Sequence, residues 1–202
     1  MSKLGNFTAE QINPYVAKVF TDIGKRMVDG TISNQRVMRN LNANTADSST
    51  ISNTVDLTNF STTYTISRPL FATSRIFRIR ANGVYSTTGT PTLLLRVRFG
   101  TTNLISFAAK TGINNASNQA WNILCDIVTR TLGSAGTVMV SGTLFFQDAA
   151  NRDTIETVVN NSATTVDTTV NQTLQVSATW SAASTSNTTT LKNFIVELSD
   201  YA

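Results

Sequence analysis

The sequence contains no histidine and a single cysteine, Cys125. Without histidine, the commonest metal ligand and the usual general base near neutral pH are both missing. A serine nucleophile has no imidazole to activate it. One thiol forms no intrachain disulfide and no cysteine-based zinc site, and it fits assembly in a reducing cytoplasm. Charge is scarce, at 14% of residues. No run approaches the roughly 20 apolar residues of a membrane span. The start, Met1–Asn6, has no apolar signal core, so neither a membrane nor a secretory route is expected. No block of consecutive basic residues exists, and a nucleic-acid-packaging arm would need one. Catalytic residues, cofactors and metal sites are therefore expected to be absent, and the chain is expected not to be an enzyme.

What is abundant is Thr, Ser and Asn, about 36% of the 202 residues, beside a 41% hydrophobic share. That share is too high for disorder. Thr with many Val and Ile favours strands, because branched side chains fit a pleated surface. The net charge of +4 hides an asymmetry. Residues 1–110 carry 13 Lys/Arg against 5 Asp/Glu, and residues 111–202 carry 3 against 7.

Residues 1–30 read differently from the rest. Asn13-Pro14 is an N-cap followed by proline at the first helical position. Val16, Val19, Phe20, Ile23 and Met27 share one face of a helix over residues 14–29, and Gly30 stops it. A helix this short is marginal alone, so its stripe docks on its own domain, on sister chains or on another protein. Residues 31–60 are polar and read as an extended arm with one or two short strands, such as Thr50–Leu57. The expected division is an anchor and arm over 1–60 and a β head over 61–202.

In the head, Phe77, Ile79 and Ala81 alternate with Arg78 and Arg80, and Leu93, Leu95, Val97 and Phe99 alternate with Arg96 and Arg98. The segment Ser86–Pro91 is a turn signal, so the two strands read as a hairpin. Trp121, Ile123, Cys125 and Ile127 point inward on a third strand. Its other face is apolar at Leu124 and Val128, which predicts a covering surface. Val138–Phe146, Leu174–Trp180 and Phe194–Leu198 follow the same rule, and with segments 160–170 and 182–190 read as polar loops or edge strands the total is about seven or eight strands. The fold class is mainly β, an antiparallel sandwich of jelly-roll type with an N-terminal helix and extended arm.

The hairpin would gather Arg78, Arg80, Arg96 and Arg98 on one outer face. Like charges opposite one another destabilise a sheet, so carboxylates are expected to meet them, with Asp126, Glu197 and Asp167 as candidates. A solvated face, a subunit interface and an anionic ligand are the three readings of such a cluster. Asp148, Asp153 and Glu156 read as loop surface charge. Trp121 and Trp180 read as core, leaving Tyr64, Tyr85 and Tyr201 freer.

The stretch from Phe77 to Leu93, with Gly89-Thr90-Pro91 in its turn, resembles a β-sandwich domain of tailed-phage virion proteins. Trp121 opening a strand, the Gly133–Val138 turn, and Thr168–Trp180 leading to Asn187–Leu198 are similar too. The resemblance spans about residues 70–198. It implies a capsid decoration (cement) protein or head fibre, on the virion surface, assembled in the host cytoplasm and frequently trimeric. The implied partner is the major capsid protein or another virion protein. The alternatives are a receptor- or glycan-binding fibre module and a single-jelly-roll shell protein. The residues expected at an oligomer or capsid interface are Val16, Phe20, Ile23 and Met27 in the anchor, and Arg78, Arg80, Arg96 and Arg98 on the head.

Overall fold

The computed structural model describes residues 37–149 and 153–200. The strands are β1 (Val37–Ala43), β2 (Ile51–Ser52), β3 (Thr58–Ile66), β4 (Ile76–Ser86), β5 (Thr92–Phe99), β6 (Thr102–Ser106), β7 (Lys110–Thr111), β8 (Gln119–Thr131), β9 (Thr137–Gln147), β10 (Asp153–Val159), β11 (Thr164–Thr165), β12 (Gln172–Trp180) and β13 (Thr188–Asp200). One 3-10 turn, Arg68–Leu70, carries its proline in the first turn, where the missing N–H costs nothing. The larger sheet runs β1-β13-β4-β8-β9-β10, with β2 on β13 and β11 on β9. The smaller runs β3-β12-β5-β6, with β7 on β5. The mainly β, antiparallel sandwich expected from the sequence is observed.

Period-2 alternation explains the layers. Along β4, Phe77, Ile79, Ala81 and Tyr85 are buried, and along β8 Trp121, Ile123, Cys125 and Ile127 are. The smaller sheet answers with Leu93, Leu95, Val97 and Phe99 on β5, and Leu174, Val176, Ala178 and Trp180 on β12. Each Val, Leu, Ile or Phe among them contributes roughly 1.5–3 kcal/mol of burial. Rings join the layers: Phe60 of β3 stacks on Trp121 at 5.8 Å, and Phe71 meets both Phe77 and Phe99 edge-on. The Trp121 indole N–H donates to Thr189 Oγ1 at 3.1 Å, which satisfies its one polar atom.

Four expectations change. First, β4 and β5 are not a hairpin. β4 pairs with β13 and β8 in the larger sheet, and β5 pairs with β12 and β6 in the smaller. The segment Ser86–Pro91 carries the chain from one sheet to the other. It is tied there by Thr87, whose amide donates to the Ala116 carbonyl at 3.1 Å and whose hydroxyl donates to the Ile113 carbonyl. The Thr88 amide donates to Asn187 Oδ1 at 3.0 Å. Second, the described part of the expected arm, residues 37–60, enters the sheets as β1, β2 and the start of β3, with Ile51 and Phe60 in the core. Third, Tyr85 is buried, stacked on Phe146 at 4.7 Å, with its hydroxyl donating to the Gln147 carbonyl. Fourth, among the described residues nothing covers Leu124 fully, and it is 40% exposed. The expected helix, with Val16, Phe20, Ile23 and Met27, lies outside the described residues, as does Tyr201.

Candidate functional site: a groove on the outer face of the larger sheet

The change of partners for β4 and β5 splits the four arginines. Arg78 and Arg80 face outward from the larger sheet, and Arg96 and Arg98 outward from the smaller one, on opposite sides of the sandwich.

On the larger sheet, register aligns side chains into rows. Glu197, Arg78, Asp126 and Ser141 form one row across β13, β4, β8 and β9. Ile195, Arg80, Leu124, Thr143 and Thr157 form the next, reaching β10. Asn82, Asn122, Phe145 and Ile155 form a third. Two of the acids expected to meet the arginines do so. Arg78 donates from Nε to Asp126 Oδ1 at 2.8 Å and from a terminal nitrogen to Oδ2 at 3.3 Å. Arg80 reaches Glu197 Oε2 at 3.4 Å. The hydrogen bond to Asp126, with help from both carboxylate charges, pushes the Arg78 pKa above its ordinary range against a smaller desolvation cost. The third acid, Asp167, is elsewhere. It accepts from the amide and hydroxyl of Thr169, and these bonds hold its carboxyl below the usual range.

These rows line a groove of about 650 Å³, bounded by Arg78, Arg80, Asn82, Asn122, Leu124, Asp126, Ser141, Gly142, Thr143 and Thr157. Small residues on β9 keep it open between larger neighbours. Asn82 and Asn122 are direct partners in the β4–β8 register. The Asn122 Oδ1 is buried with no hydrogen-bond partner among the described residues. Buried carbonyl oxygens are nearly always satisfied, so this one lacks a donor that a small rotation of the amide toward the groove would let a ligand supply. The sequence reading missed this pair. Its only signal is an amide at the outward position of each of two central strands, and strand pairing must be known to bring them together.

Behind the groove, burial drives the Cys125 thiol pKa well above its ordinary value, so the thiol is inert. Among the described residues no group of three or more metal-ligating side chains is present. Asp153 and Glu156 lie on β10 and not in a loop. Glu156 accepts from the Ala108 amide at 2.9 Å and pairs with Lys110 at 2.9 Å, a structural clip to the other sheet's edge.

On the opposite face, Arg98 donates to Asn103 Oδ1 at 2.9 Å, Asn59 Oδ1 at 3.0 Å and the Thr101 carbonyl at 2.8 Å. It ties together β3, β5 and the β5–β6 turn. Arg96 donates to Thr179 Oγ1 at 2.8 Å, and burial, then the charge of Arg98, lowers its pKa.

Fold and groove define the class of the chain: an antiparallel β-sandwich with a polar groove on the outer face of its larger sheet. No family model matches the chain, and no curated protein sequence matches it. Among solved structures it is similar to the CBM2 module of the evolved Dit of Lactobacillus casei BL23 phage J-1, at 11% identity and a TM-score of 0.40, over 83% of this chain and 100% of that one. It is also similar to winged bean acidic lectin complexed with methyl-alpha-D-galactose, at 9% identity and a TM-score of 0.31, over 82% of this chain and 99% of that one.

Proposed function

We propose that the chain is a non-enzymatic recognition module of a phage virion, and that the outer-face groove binds a neutral glycan. The carrying observation is the Asn82–Asn122 pair, two amides side by side on a groove wall with one oxygen unsatisfied. An amide offers two donors and one acceptor, which suits neighbouring sugar hydroxyls, each both donor and acceptor. Ser141, Thr143 and Thr157 extend the polar wall, and exposed Leu124 gives an apolar surface to the C–H face of a sugar ring. The groove volume lies within the usual range of small-ligand sites. Arg78 and Arg80 are offset by Asp126 and Glu197, which favours a neutral sugar over an acidic one. The virion setting is supported by the sequence resemblance and by strand order. The rows β1-β13-β4-β8 and β3-β12-β5-β6, entered by crossing from sheet to sheet, follow a jelly-roll path with β9 to β11 as an extension.

The test is a glycan array with the full chain, followed by titration of the best ligand against Asn82→Ala and Asn122→Ala. Selective binding that weakens at least tenfold in both variants, with melting temperatures within about 2 °C of the parent, is the expected result. Binding to no glycan, or binding indifferent to both variants, would overturn the reading.

A second reading, capsid decoration on the major capsid protein by a trimer, draws on Arg96 and Arg98. Among the described residues neither has a carboxylate partner. That face would suit an acidic protein surface. Saturable binding to undecorated capsids, lost in Arg96→Gln, would establish it.

A further inference from the structure

The larger sheet ends at β10, and among the described residues nothing pairs with its far side. The direction of its main-chain groups can be deduced. The Asn160 amide donates to the Val140 carbonyl at 3.0 Å. In an antiparallel ladder, hydrogen-bonded positions alternate. Val158, Glu156 and Thr154 therefore turn their N–H and C=O toward β9, and Ile155, Thr157 and Val159 turn theirs away from it. The side chains of those same three residues stand on the outer face, with Ile155 64% and Val159 57% exposed. Phe145, the β9 partner of Ile155, is exposed beside them. Protected edges carry a lysine, a proline, a bulge or an inward-pointing charge. β10, Asp-Thr-Ile-Glu-Thr-Val-Val, has no lysine, proline or bulge, its register on β9 is unbroken from Asp153 to Val159, and its inward charge, Glu156, is already paired with Lys110 at 2.9 Å.

We propose that β10 is a homodimer edge, pairing antiparallel with β10 of a second copy about a two-fold axis through Thr157. This goes beyond the glycan reading and does not depend on it. The strand is complementary to itself in that register. Ile155 falls opposite Val159 of the second copy, and Val159 opposite its Ile155, which makes two apolar cross-strand pairs on the exposed face. Thr157 meets Thr157. The three outward-turned residues of each copy form hydrogen-bonded pairs, closing six main-chain bonds that no strand among the described residues makes. Asp153 falls opposite Asn161, so no like charges meet. A two-fold axis uses the same patch twice and closes, so the assembly stops at two. Opposed residues in a sheet point to the same face. The two grooves, each lined in part by its own Thr157, thus open on one side of a continuous sheet.

Sedimentation of the full chain over a range of concentrations tests this. A dimer is expected. Ile155→Lys with Val159→Lys is expected to raise its dissociation constant at least tenfold, as is Thr157→Pro, which removes an N–H that points away from β9 together with the hydroxyl contact to Thr143 at 3.3 Å. Cross-linking checks the register and remains informative if those variants misfold. Thr157→Cys is expected to give a covalent dimer with a short bifunctional thiol cross-linker, and Val159→Cys is not, since its own copy lies across the axis and several residues along. A monomer throughout, a trimer, a dimer indifferent to the edge substitutions, or equal cross-linking at both positions would each overturn the proposal.

Discussion

Arg78 and Asp126 stand opposite one another on β4 and β8 and share two hydrogen bonds, of 2.8 and 3.3 Å. With Glu197 on the other side of Arg78, the row reads acid, base, acid across three strands. The arginine pair on the larger sheet is thereby neutralised within its own sheet. Among the described residues, the pair on the smaller sheet is satisfied by neutral oxygens.

Since the two arginine pairs lie on opposite faces with no shared partner, their effects on stability should add. Arg78→Gln with Arg80→Gln is expected to cost about 1 kcal/mol, because both ion pairs are partly exposed. Arg98→Gln alone is expected to cost about 1 kcal/mol, since Arg98 is buried but its partners Asn59 and Asn103 are exposed and can bond water instead. Urea denaturation of the combined variant should give the sum within about 0.5 kcal/mol. A larger departure would mean that the two faces are coupled.

Gly83 is required by contact. A Cβ there would lie 2.2 Å from Trp121 Cζ2 and 2.5 Å from the Thr190 carbonyl oxygen. The indole is wedged against Phe60, and the carbonyl belongs to β13, so neither yields cheaply. Gly83→Ala is expected to cost about 3 kcal/mol or more, read as a lower denaturation midpoint. A change below about 1 kcal/mol would contradict the packing described.

Alkaline stability should fall in two stages. Burial raises the Cys125 thiol above its ordinary 9.0 and the Tyr85 hydroxyl above its ordinary 10.0. Above those values the unfolded chain releases protons that the folded chain keeps. Each contribution is thus complete below the ordinary value and is lost as pH rises through the folded one. The slope per group approaches about 1.4 kcal/mol per pH unit. Cys125→Ala is expected to flatten the curve between pH 9 and 10, and Tyr85→Phe to flatten it above 10. Denaturation midpoints measured at half-unit steps would show both effects, and unchanged slopes would refute the assignment.

Asn122 should trade stability against binding. Its buried oxygen has no partner among the described residues, so Asn122→Ala removes an uncompensated polar atom. The folded state is expected to be unchanged or up to about 1 kcal/mol more stable, while glycan affinity falls. Loss of more than about 1.5 kcal/mol would make Asn122 a structural residue.

Strand faces are legible in this sequence because side chains alternate with a period of two, whatever the neighbouring strand. Phe77, Ile79, Trp121, Ile123 and Trp180 are all where alternation puts them. Partners are less legible, because the same alternation suits a hairpin and a crossing between sheets. Ser86–Pro91 has the composition of a tight turn. What carries it across is Thr87 bonding to residues about 26 positions away, a long-range contact with no local signature. The arm misleads for a related reason: Ile51 and Phe60 are isolated among polar residues, yet each fills a place prepared by distant strands. The groove inherits the same limit. Arg78, Asp126 and Glu197 are readable as outward charges, whereas the Asn82–Asn122 pair appears only once β4 lies beside β8.

The unequal treatment of the arginines gives the sandwich a direction. One broad face balances Arg78 and Arg80 with carboxylates, and among the described residues the other leaves Arg96 and Arg98 to neutral oxygens, so on these four groups the sandwich is polarised through its thickness. Such a sandwich approaching an anionic surface is turned by the field before it touches. It would settle with the smaller sheet downward, its groove facing the surrounding medium and β10 free at the side to meet a neighbour.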